Sequence, residues 1–429
     1  IAVDLAYDYV LDSMRPQSLP DGPFKGERMI VSGNDIVAMG KIVGGLTIQT
    51  YYPITPAADE ALYMEGYRSI EPIEEAKQAL GLDKLSVIVI QTEDEISAIN
   101  MAIGAALAGA RASTTTSGPG FSLMNEAISM AVMMEAPIVI TVWQRAGPST
   151  GMATRTGQQD LLHSLFSGHG DTPKIVLSSG DHVEAFYDAI DALNWAEKFQ
   201  VPVIHLLDKV LAASLKSIDR LDLETVRIDR GKLSYEARGP YKRYEITDDG
   251  ISTRIPVGFA KQMNTSLEHT EEGMATEDPE IRNEMIKKRL RKLESIELGI
   301  PEERRYSYYG EEDPDVLIVS WGSNKGPILD ALQNLHKEGI KAGYFQIRLF
   351  EPFPSKALIK YMDSARIVIG IESNVLEQMR MIVRMKTLRD IPHMIVKYTG
   401  RTLYEHEVFL GVKTILDKGI KRVVVGDGA

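Results

Sequence analysis

Between residues 27 and 215 the chain alternates short apolar runs with segments whose apolar residues recur every three or four positions. One such segment places Ile96, Ile99 and Ile103 on a single helical stripe. Strands that alternate with amphipathic helices predict a parallel sheet covered on both faces. The expected strands are 46–52, 86–91, 112–116, 137–143, 175–177 and 201–207, and the expected helices are 33–44, 56–61, 94–110, 121–134, 156–166 and 183–199.

The same alternation resumes after a different kind of segment. Residues 216–309 carry many charges and few apolar runs, and we interpret them as an inserted or linking region in which Arg282–Glu297 forms an exposed helix. Residues 310–429 are expected to form a second, smaller α/β domain. Its predicted strands are 316–321, 342–349, 367–372 and 393–398, and its predicted helices are 325–338, 355–363 and 374–388.

The first 26 residues contain several prolines and glycines, which predicts a linker that leads in from an upstream domain. The domain limits expected from sequence are therefore 1–26, 27–215, 216–309 and 310–429. A chain of 429 residues, 44% of them hydrophobic, is long enough for two or three domains with substantial cores.

Charge and cysteine content narrow the possible functions. A net charge of −12 argues against binding to nucleic acid or to an anionic membrane surface. The sequence has no apolar run of about 18 residues, which a membrane-spanning helix requires. It has no cysteine, so any cysteine-ligated iron–sulfur cluster must belong to a partner. Its eight histidines show no metal-type spacing, which predicts no metal site in this chain.

Polar residues follow the predicted strands at the edge where an open parallel sheet binds its ligands. The residues that follow the first four strands are Thr55, Glu95, Ser117 with Gly118, and Arg145. We therefore expect a hydroxyl, a carboxylate, a glycine-rich turn and a guanidinium to meet at one edge of the first sheet.

The segment Tyr52-Pro53-Ile54-Thr55-Pro56 is the most unusual part of this set. Its two prolines restrict the backbone on both sides of Thr55. A hydroxyl held in this way suits contact with a small bound molecule. The ordinary alternative is that Thr55 caps the helix predicted to begin at Pro56.

Glu95 and Arg145 also have ordinary alternatives. A carboxylate at a helix start stabilises the helix dipole by up to about 1 kcal/mol, and a single arginine is usually a solvated surface charge. Arg145 is less ordinary, because it follows a predicted strand and precedes a Gly/Pro/Ser loop. A guanidinium in such a place can hold a carboxylate at two points.

Several motifs together resemble one family. The stretches Gln91–Asn100 and Thr115–Phe121, with the loop Gln144–Gly151, are similar to the α subunit of 2-oxoacid:ferredoxin oxidoreductases, or to the α portion of a fused γ–α subunit. The resemblance implies a parallel-sheet domain that binds the thiamine pyrimidine, followed by a smaller domain like the C-terminal domain of transketolase. It implies that this chain oxidatively decarboxylates 2-oxo acids to acyl-CoA only together with a partner.

The resemblance also assigns roles to residues. Glu95 would hydrogen-bond a ring nitrogen of the thiamine diphosphate aminopyrimidine and favour the imino tautomer, which then removes the thiazolium proton. Arg145 would bind the substrate carboxylate and Thr55 an oxygen of the oxo acid, although Ala146 replaces the glycine that is common in the family. Arg155 matches a basic position that is a second anion contact or only part of the loop. The other expected cofactor contacts are Pro53, Ile54, Ser117 and Gly118.

In that family, the partner β subunit carries the diphosphate–Mg²⁺ site and the [4Fe–4S] clusters. The implied partners are therefore a β subunit, ferredoxin, coenzyme A and a 2-oxo acid, in the cytoplasm. Two other hypotheses stay open at this point. The chain could belong to a non-redox thiamine-dependent decarboxylase or transketolase-like enzyme, or it could be a non-catalytic assembly subunit that kept the fold.

Overall fold

The computed structural model describes residues 2–13, 26–71, 84–237 and 239–426. The strands within these residues are β1 (Arg28–Val31), β2 (Ile48–Tyr51), β3 (Ser69–Ile70), β4 (Leu85–Ser86), β5 (Ile88–Gln91), β6 (Ala112–Thr116), β7 (Ile138–Gln144), β8 (Ile175–Leu177), β9 (Val203–Asp208), β10 (Lys216–Asp219), β11 (Tyr306–Gly310), β12 (Val316–Trp321), β13 (Ala342–Ile347), β14 (Leu349–Glu351), β15 (Ile367–Glu372), β16 (His393–Val396) and β17 (Arg422–Val424). The α-helices are α1 (Ala2–Ser13), α2 (Gly33–Val43), α3 (Ala58–Gly66), α4 (Glu95–Leu107), α5 (Gly118–Leu123), α6 (Asn125–Met133), α7 (Leu161–Leu165), α8 (His182–Phe199), α9 (Lys209–Ala213), α10 (Pro279–Gly299), α11 (Lys325–Lys337), α12 (Ser355–Ser364), α13 (Gln378–Thr387) and α14 (Glu405–Lys418).

The larger sheet has the strand order β14-β8-β9-β7-β6-β2-β5, and only β14 runs antiparallel to its neighbour. The central strand β7 is buried along its whole length. Its residues alternate between two hydrophobic clusters, so that Ile138 and Ile140 enter one cluster and Val139 enters the other. Continuous apolar runs of this kind are what a parallel sheet covered on both faces requires. The predicted α/β class is confirmed.

The second sheet has the order β11-β13-β12-β15-β16-β17, with β11 antiparallel and the other strands parallel. The single strand predicted at 342–349 is wrong, because the chain leaves this sheet after β13 and adds β14 to the larger sheet. Arg348 lies at the crossing, where its guanidinium donates to Asp188 at 2.5 Å. The two sheets are therefore connected by a strand as well as by packing, and the sequence-based domain limits stay predictions.

Ala2–Ser13 forms helix α1, which differs from the linker expected there. This stretch has no proline or glycine, and the residues that suggested a linker come after it. Prolines 16, 20 and 23 lie outside the described residues. None of the described helices has the length and apolar character needed to cross a lipid bilayer.

The block Arg282–Glu297 is helical, within α10, but the prediction that it is exposed holds for only part of its surface. Lys288 and Lys292 are fully buried, and both form ion pairs with the buried carboxylate of Glu135, that of Lys292 at 2.7 Å. Glu135 lies in the turn after α6, in the larger-sheet domain. Lys288 and Lys292 thus fix α10 onto this domain, whereas other charged residues of the helix, such as Lys287 and Glu294, face water.

The helix predicted at 156–166 is also mostly wrong, because only Leu161–Leu165 is helical. Gln158 lies outside the helix and bonds to the second domain instead. Its backbone N–H donates to Ser373 O at 3.0 Å, and its side chain donates to Trp321 O at 3.1 Å. Contacts of this range cannot be read from local sequence periodicity.

Candidate active site

Four of the predicted polar sets lie at one edge of the larger sheet. Strands β5, β2, β6 and β7 are consecutive parallel neighbours, so their carboxyl ends share this edge. The edge carries Glu95 after β5, Thr55 after β2, Ser117 after β6 and Arg145 after β7. Three strand spacings separate β5 from β7, which puts the ends of the set about 14 Å apart. That span suits a ligand with a cofactor part and a substrate part.

Glu95 and its neighbour Asp94 have different roles at the start of α4. Asp94 is the N-cap residue, and its carboxylate accepts the Ser97 N–H at 2.6 Å. The helix cap therefore does not need Glu95. Glu95 is only 6% exposed, and its side chain has no hydrogen bond or ion pair with any other described residue. Burial raises the pKa of Glu95, a hydrogen bond from its own backbone N–H lowers it, and the adjacent charge of Asp94 raises it further.

The turn after β6 is built closely against Glu95. A Cβ on Gly120 would lie 2.4 Å from Glu95 Oε1 and 2.2 Å from Thr116 Oγ1, so only glycine fits at this position. The buried hydroxyl of Ser117 has no hydrogen-bond partner among the described residues. Unpaired buried polar groups are uncommon in folded proteins. A buried hydroxyl without a partner, beside a buried acid that bonds to no other described residue, fits the polar edge of an aminopyrimidine ring.

The Tyr52–Pro56 loop forms the exposed part of this edge. Pro53 and Thr55 are exposed, and Ile54 is half-buried against a hydrophobic cluster. The backbone carbonyl of Thr55 accepts a hydrogen bond from Arg145 Nη1 at 2.7 Å. The main chain of Thr55 therefore positions Arg145, while its exposed side chain has no hydrogen-bond partner within the described structure.

Arg145 lines a cavity of about 410 Å³ between the two sheets. The side chain is 7% exposed, and its Nε atom has no partner. Gly118 and the Gly147–Ser149 loop line one side of the cavity, and residues 374–378 from the end of β15 line another. A guanidinium held at one nitrogen and open to a cavity of this size can bind a carboxylate.

Sequence reasoning missed two features of this cavity. Asp160 lines it, with both carboxylate oxygens within about 3 Å of the place where a Gly118 Cβ would lie. Burial raises the pKa of Asp160 to about 6, although the positive charge of Arg145 acts in the opposite direction. The second sheet also contributes, because Gln378 donates to Gln159 O at 2.8 Å. The polar run Gln158-Gln159-Asp160 was the only sequence signal for either feature.

Arg155 is not brought together with Arg145. It lines a separate cavity of about 340 Å³, between the loop at 154–156, the start of α9 and the loop at 400–404. Its backbone carbonyl accepts the Ala146 N–H at 3.1 Å, which closes the loop after Arg145. Ala146 itself is accommodated, with 6% of its surface exposed.

A buried polar network lies beneath the Tyr52–Pro56 loop. Lys41 Nζ lies 2.5 Å from Glu60 Oε1 and donates to Ser113 Oγ at 2.6 Å. The other Glu60 oxygen accepts from Thr115 at 3.0 Å and from Trp143 Nε1 at 2.8 Å. All five side chains are fully buried. A network with every member paired holds the strands behind the site in one arrangement.

Two family profiles match the chain. Residues 39–288 match the profile described as pyruvate flavodoxin/ferredoxin oxidoreductase, thiamine diphosphate-binding, and residues 314–408 match pyruvate:ferredoxin oxidoreductase core domain II. The first match covers the edge that carries Thr55, Glu95 and Arg145. The second covers the sheet that closes the Arg145 cavity.

Individual relatives agree with the profiles. The α subunit of 2-oxoacid:ferredoxin oxidoreductase 2 from Aeropyrum pernix is 55% identical over 433 residues, which cover 100% of this chain and 67% of that protein. The 2-oxoglutarate synthase subunit KorA from Archaeoglobus fulgidus is 32% identical, over 81% of this chain and 88% of that protein.

A solved structure extends the comparison to the fold. The 2-oxoglutarate:ferredoxin oxidoreductase from Magnetococcus marinus, with 2-oxoglutarate, coenzyme A and succinyl-CoA bound, superposes with a TM-score of 0.82. The two chains are 35% identical, over 96% of this chain and 70% of that chain. Fold and matched domains together define a subunit of a thiamine diphosphate-dependent oxidoreductase. More narrowly, the chain belongs to the α subunits of the 2-oxoacid:ferredoxin oxidoreductases, which confirms the resemblance.

Proposed function

We propose that this chain supplies the aminopyrimidine-binding and oxo-acid-binding half of an active site that a β subunit completes. The reaction converts a 2-oxo acid, coenzyme A and oxidised ferredoxin into acyl-CoA, carbon dioxide and reduced ferredoxin. The observation that carries the proposal is a buried Glu95, whose side chain bonds to no other described residue, at the same sheet edge as an Arg145 anchored on Thr55 O. Thiamine diphosphate, when bound, supplies the nucleophilic carbon and the electron sink for this reaction.

Glu95 is the proposed proton partner of the aminopyrimidine ring nitrogen. Its burial favours the protonated carboxyl, and its only hydrogen bond among the described residues comes from its own backbone N–H, so a proton on the carboxyl can be donated to a ligand. Ser117, Gly118, Pro53 and Ile54 are the proposed neighbours of the same ring. The tight fit at Gly120 keeps the carboxyl in one position against α5.

Arg145 is the proposed contact for the substrate carboxylate. Its bond to Thr55 O uses one nitrogen and orients the planar guanidinium, which leaves the other N–H groups for the oxo acid. The exposed Thr55 hydroxyl is the proposed donor to an oxygen of the same substrate. Both groups depend on one loop, so the position of the substrate is set by Tyr52–Pro56 together with the end of β7.

The rest of the catalytic apparatus is assigned to the partner. The described residues contain no group of three or more acidic or histidine side chains that could hold a metal ion. The sequence contains no cysteine. We therefore assign the Mg²⁺–diphosphate site and the [4Fe–4S] clusters to the β subunit, and the assembled enzyme to the cytoplasm. Metal and iron analysis of the purified subunits, together with cell fractionation, tests these assignments.

The central test uses Glu95→Gln in the full-length enzyme with its partner. We expect deuterium exchange at the thiazolium carbon, measured by quenched-flow NMR, to slow about 100-fold or more, because general acid–base groups contribute factors of this size. The control is Glu93→Gln, which removes an exposed acid two positions away. Exchange at the wild-type rate in Glu95→Gln, with the cofactor fully bound, would remove Glu95 from this role.

A further inference from the structure

The cavity that contains Arg155 lies where three loops meet at the boundary of the two sheets. The loop at 154–156 follows the Arg145 loop, Lys209 begins α9 after β9, and the loop at 400–404 precedes α14. Thr156 N–H donates to Gly400 O at 3.3 Å, which joins the first and third loops. Gly400 has a φ of +76°, and a Cβ there would lie 3.0 Å from Arg155 Cβ. The junction therefore brings the Arg155 backbone close to Gly400.

Three cationic side chains line this cavity: Arg155, Lys209 and Arg401. Within the described structure, none of the three has an ion-pair or side-chain hydrogen-bond partner, and no acidic residue lines the cavity. A nearby acid is already used, since Glu407 lies 2.7 Å from Lys397. Three uncompensated positive charges in one concavity are unusual in a chain with a net charge of −12.

Hydroxyl groups accompany the cations. Thr154, Thr156 and Thr402 line the same cavity and add neutral hydrogen-bond donors. Guanidinium forks, an ammonium group and hydroxyls are the donors that bind phosphate oxygens. A partner protein with a flat acidic surface could also pair with these cations, but it would not fill a concavity of about 340 Å³. The chemistry and shape together favour a small molecule with one or more phosphate groups.

We infer that Arg155, Lys209 and Arg401 form a phosphate-binding site that is separate from the Arg145 cavity. Two sources can supply the phosphate: the phosphate groups of coenzyme A, or a free inorganic phosphate compound that binds independently. The coenzyme A source rests on the proposed function, whereas the inorganic source does not. Arg155, for which the resemblance left open a second anion contact or a role only in the loop, would then contact a phosphate group outside the Arg145 cavity.

The test measures binding by isothermal titration calorimetry on the full-length enzyme with its partner. The probes are inorganic pyrophosphate and coenzyme A. The test variant is Arg155→Gln/Lys209→Gln/Arg401→Gln. The control variant, Lys287→Gln/Arg366→Gln/Lys421→Gln, removes three exposed cations that have no ion pair in the described structure and lie in neither cavity.

We expect the test variant to bind pyrophosphate at least tenfold more weakly than wild type, and the control variant to bind it within twofold of wild type. Competition distinguishes the sources. If pyrophosphate and coenzyme A exclude one another, the site holds coenzyme A phosphates; if both bind together, it holds a separate phosphate compound. Circular dichroism and thermal unfolding verify that both variants fold.

Equal pyrophosphate affinity in wild type and test variant, or no binding to wild type, overturns the inference. It is also overturned if the test variant loses only ferredoxin reduction while phosphate binding is unchanged, because the cations would then serve an acidic protein. Oxo-acid-dependent ferredoxin reduction is measured in parallel. Its absence from wild type would reject the proposed function and leave pyrophosphate binding as an independent result.

Discussion

Replacement of Arg145 tests the substrate half of the proposed site. The wild-type guanidinium donates to Thr55 O at 2.7 Å and presents its remaining N–H groups to the cavity. Arg145→Ala removes a two-point, charge-assisted contact, in which each hydrogen bond is worth about 1.5–3 kcal/mol. A loss of about 3 kcal/mol corresponds to roughly 100-fold in kcat/KM. We expect most of this loss as an increase in KM for the oxo acid.

Arg145→Lys separates charge from geometry. Lysine keeps a positive charge but cannot bond Thr55 O and grip a carboxylate at two points. We therefore expect a smaller loss of about tenfold, the equivalent of one hydrogen bond of about 1.4 kcal/mol. The assay is steady-state reduction of ferredoxin with the oxo acid varied at saturating coenzyme A. Arg366→Ala, which removes an exposed arginine outside this cavity, is the control.

We expect KM for the oxo acid to increase from wild type to Arg145→Lys and again to Arg145→Ala, while cofactor affinity stays unchanged. An unchanged KM in Arg145→Ala would refute the assignment of this residue to the substrate. If Arg145→Ala weakens only cofactor binding, Arg145 serves to hold the Tyr52–Pro56 loop in place and does not bind the substrate.

Two further predictions concern the site and its stability. Gly120→Ala should weaken thiamine diphosphate binding at least tenfold in titrations of the complex, because the new Cβ would overlap Glu95 and Thr116, whereas Gly104→Ala, whose Cβ meets nothing within 4 Å, should bind normally. Burial raises the pKa of Glu372 from 4.5 to about 8, so its stabilising contribution is present below the unfolded pKa and is lost as pH rises through 8. Thermal midpoints between about pH 6 and about pH 9 should therefore fall more for wild type than for Glu372→Gln, and parallel curves would contradict that protonation state.

The sheet edge that carries the candidate site was predictable, because the loops that follow neighbouring parallel strands lie at the same edge. Each loop residue could be found from its position after an apolar run, without knowledge of any contact. The second sheet's part in the Arg145 cavity could not be found in this way. Gln378 and Gln159 are 219 positions apart, and their hydrogen bond depends on how two sheets pack. The burial of Asp160, which raises its pKa, depends on the same packing.

Charge patterning misled the sequence analysis at α10 for a related reason. A helix segment with many basic and acidic residues is typically solvated. Lys288 and Lys292 are buried instead, because Glu135 offers them a carboxylate in a turn more than 150 positions earlier. A local pattern records how many charges a helix has, whereas the location of their partners decides whether they face water.

The exposure of the site edge bears on whether this chain acts alone. Behind the edge lies the buried, paired network around the Lys41–Glu60 ion pair, which forms a fixed base. The edge itself is open, with Tyr52 39% exposed and Thr55 also exposed. The electrostatic interactions that assist proton transfer and bind a carboxylate are strongest where water is excluded. A fixed base beneath an open edge therefore supports the proposal that a second polypeptide and the bound cofactor provide the missing cover.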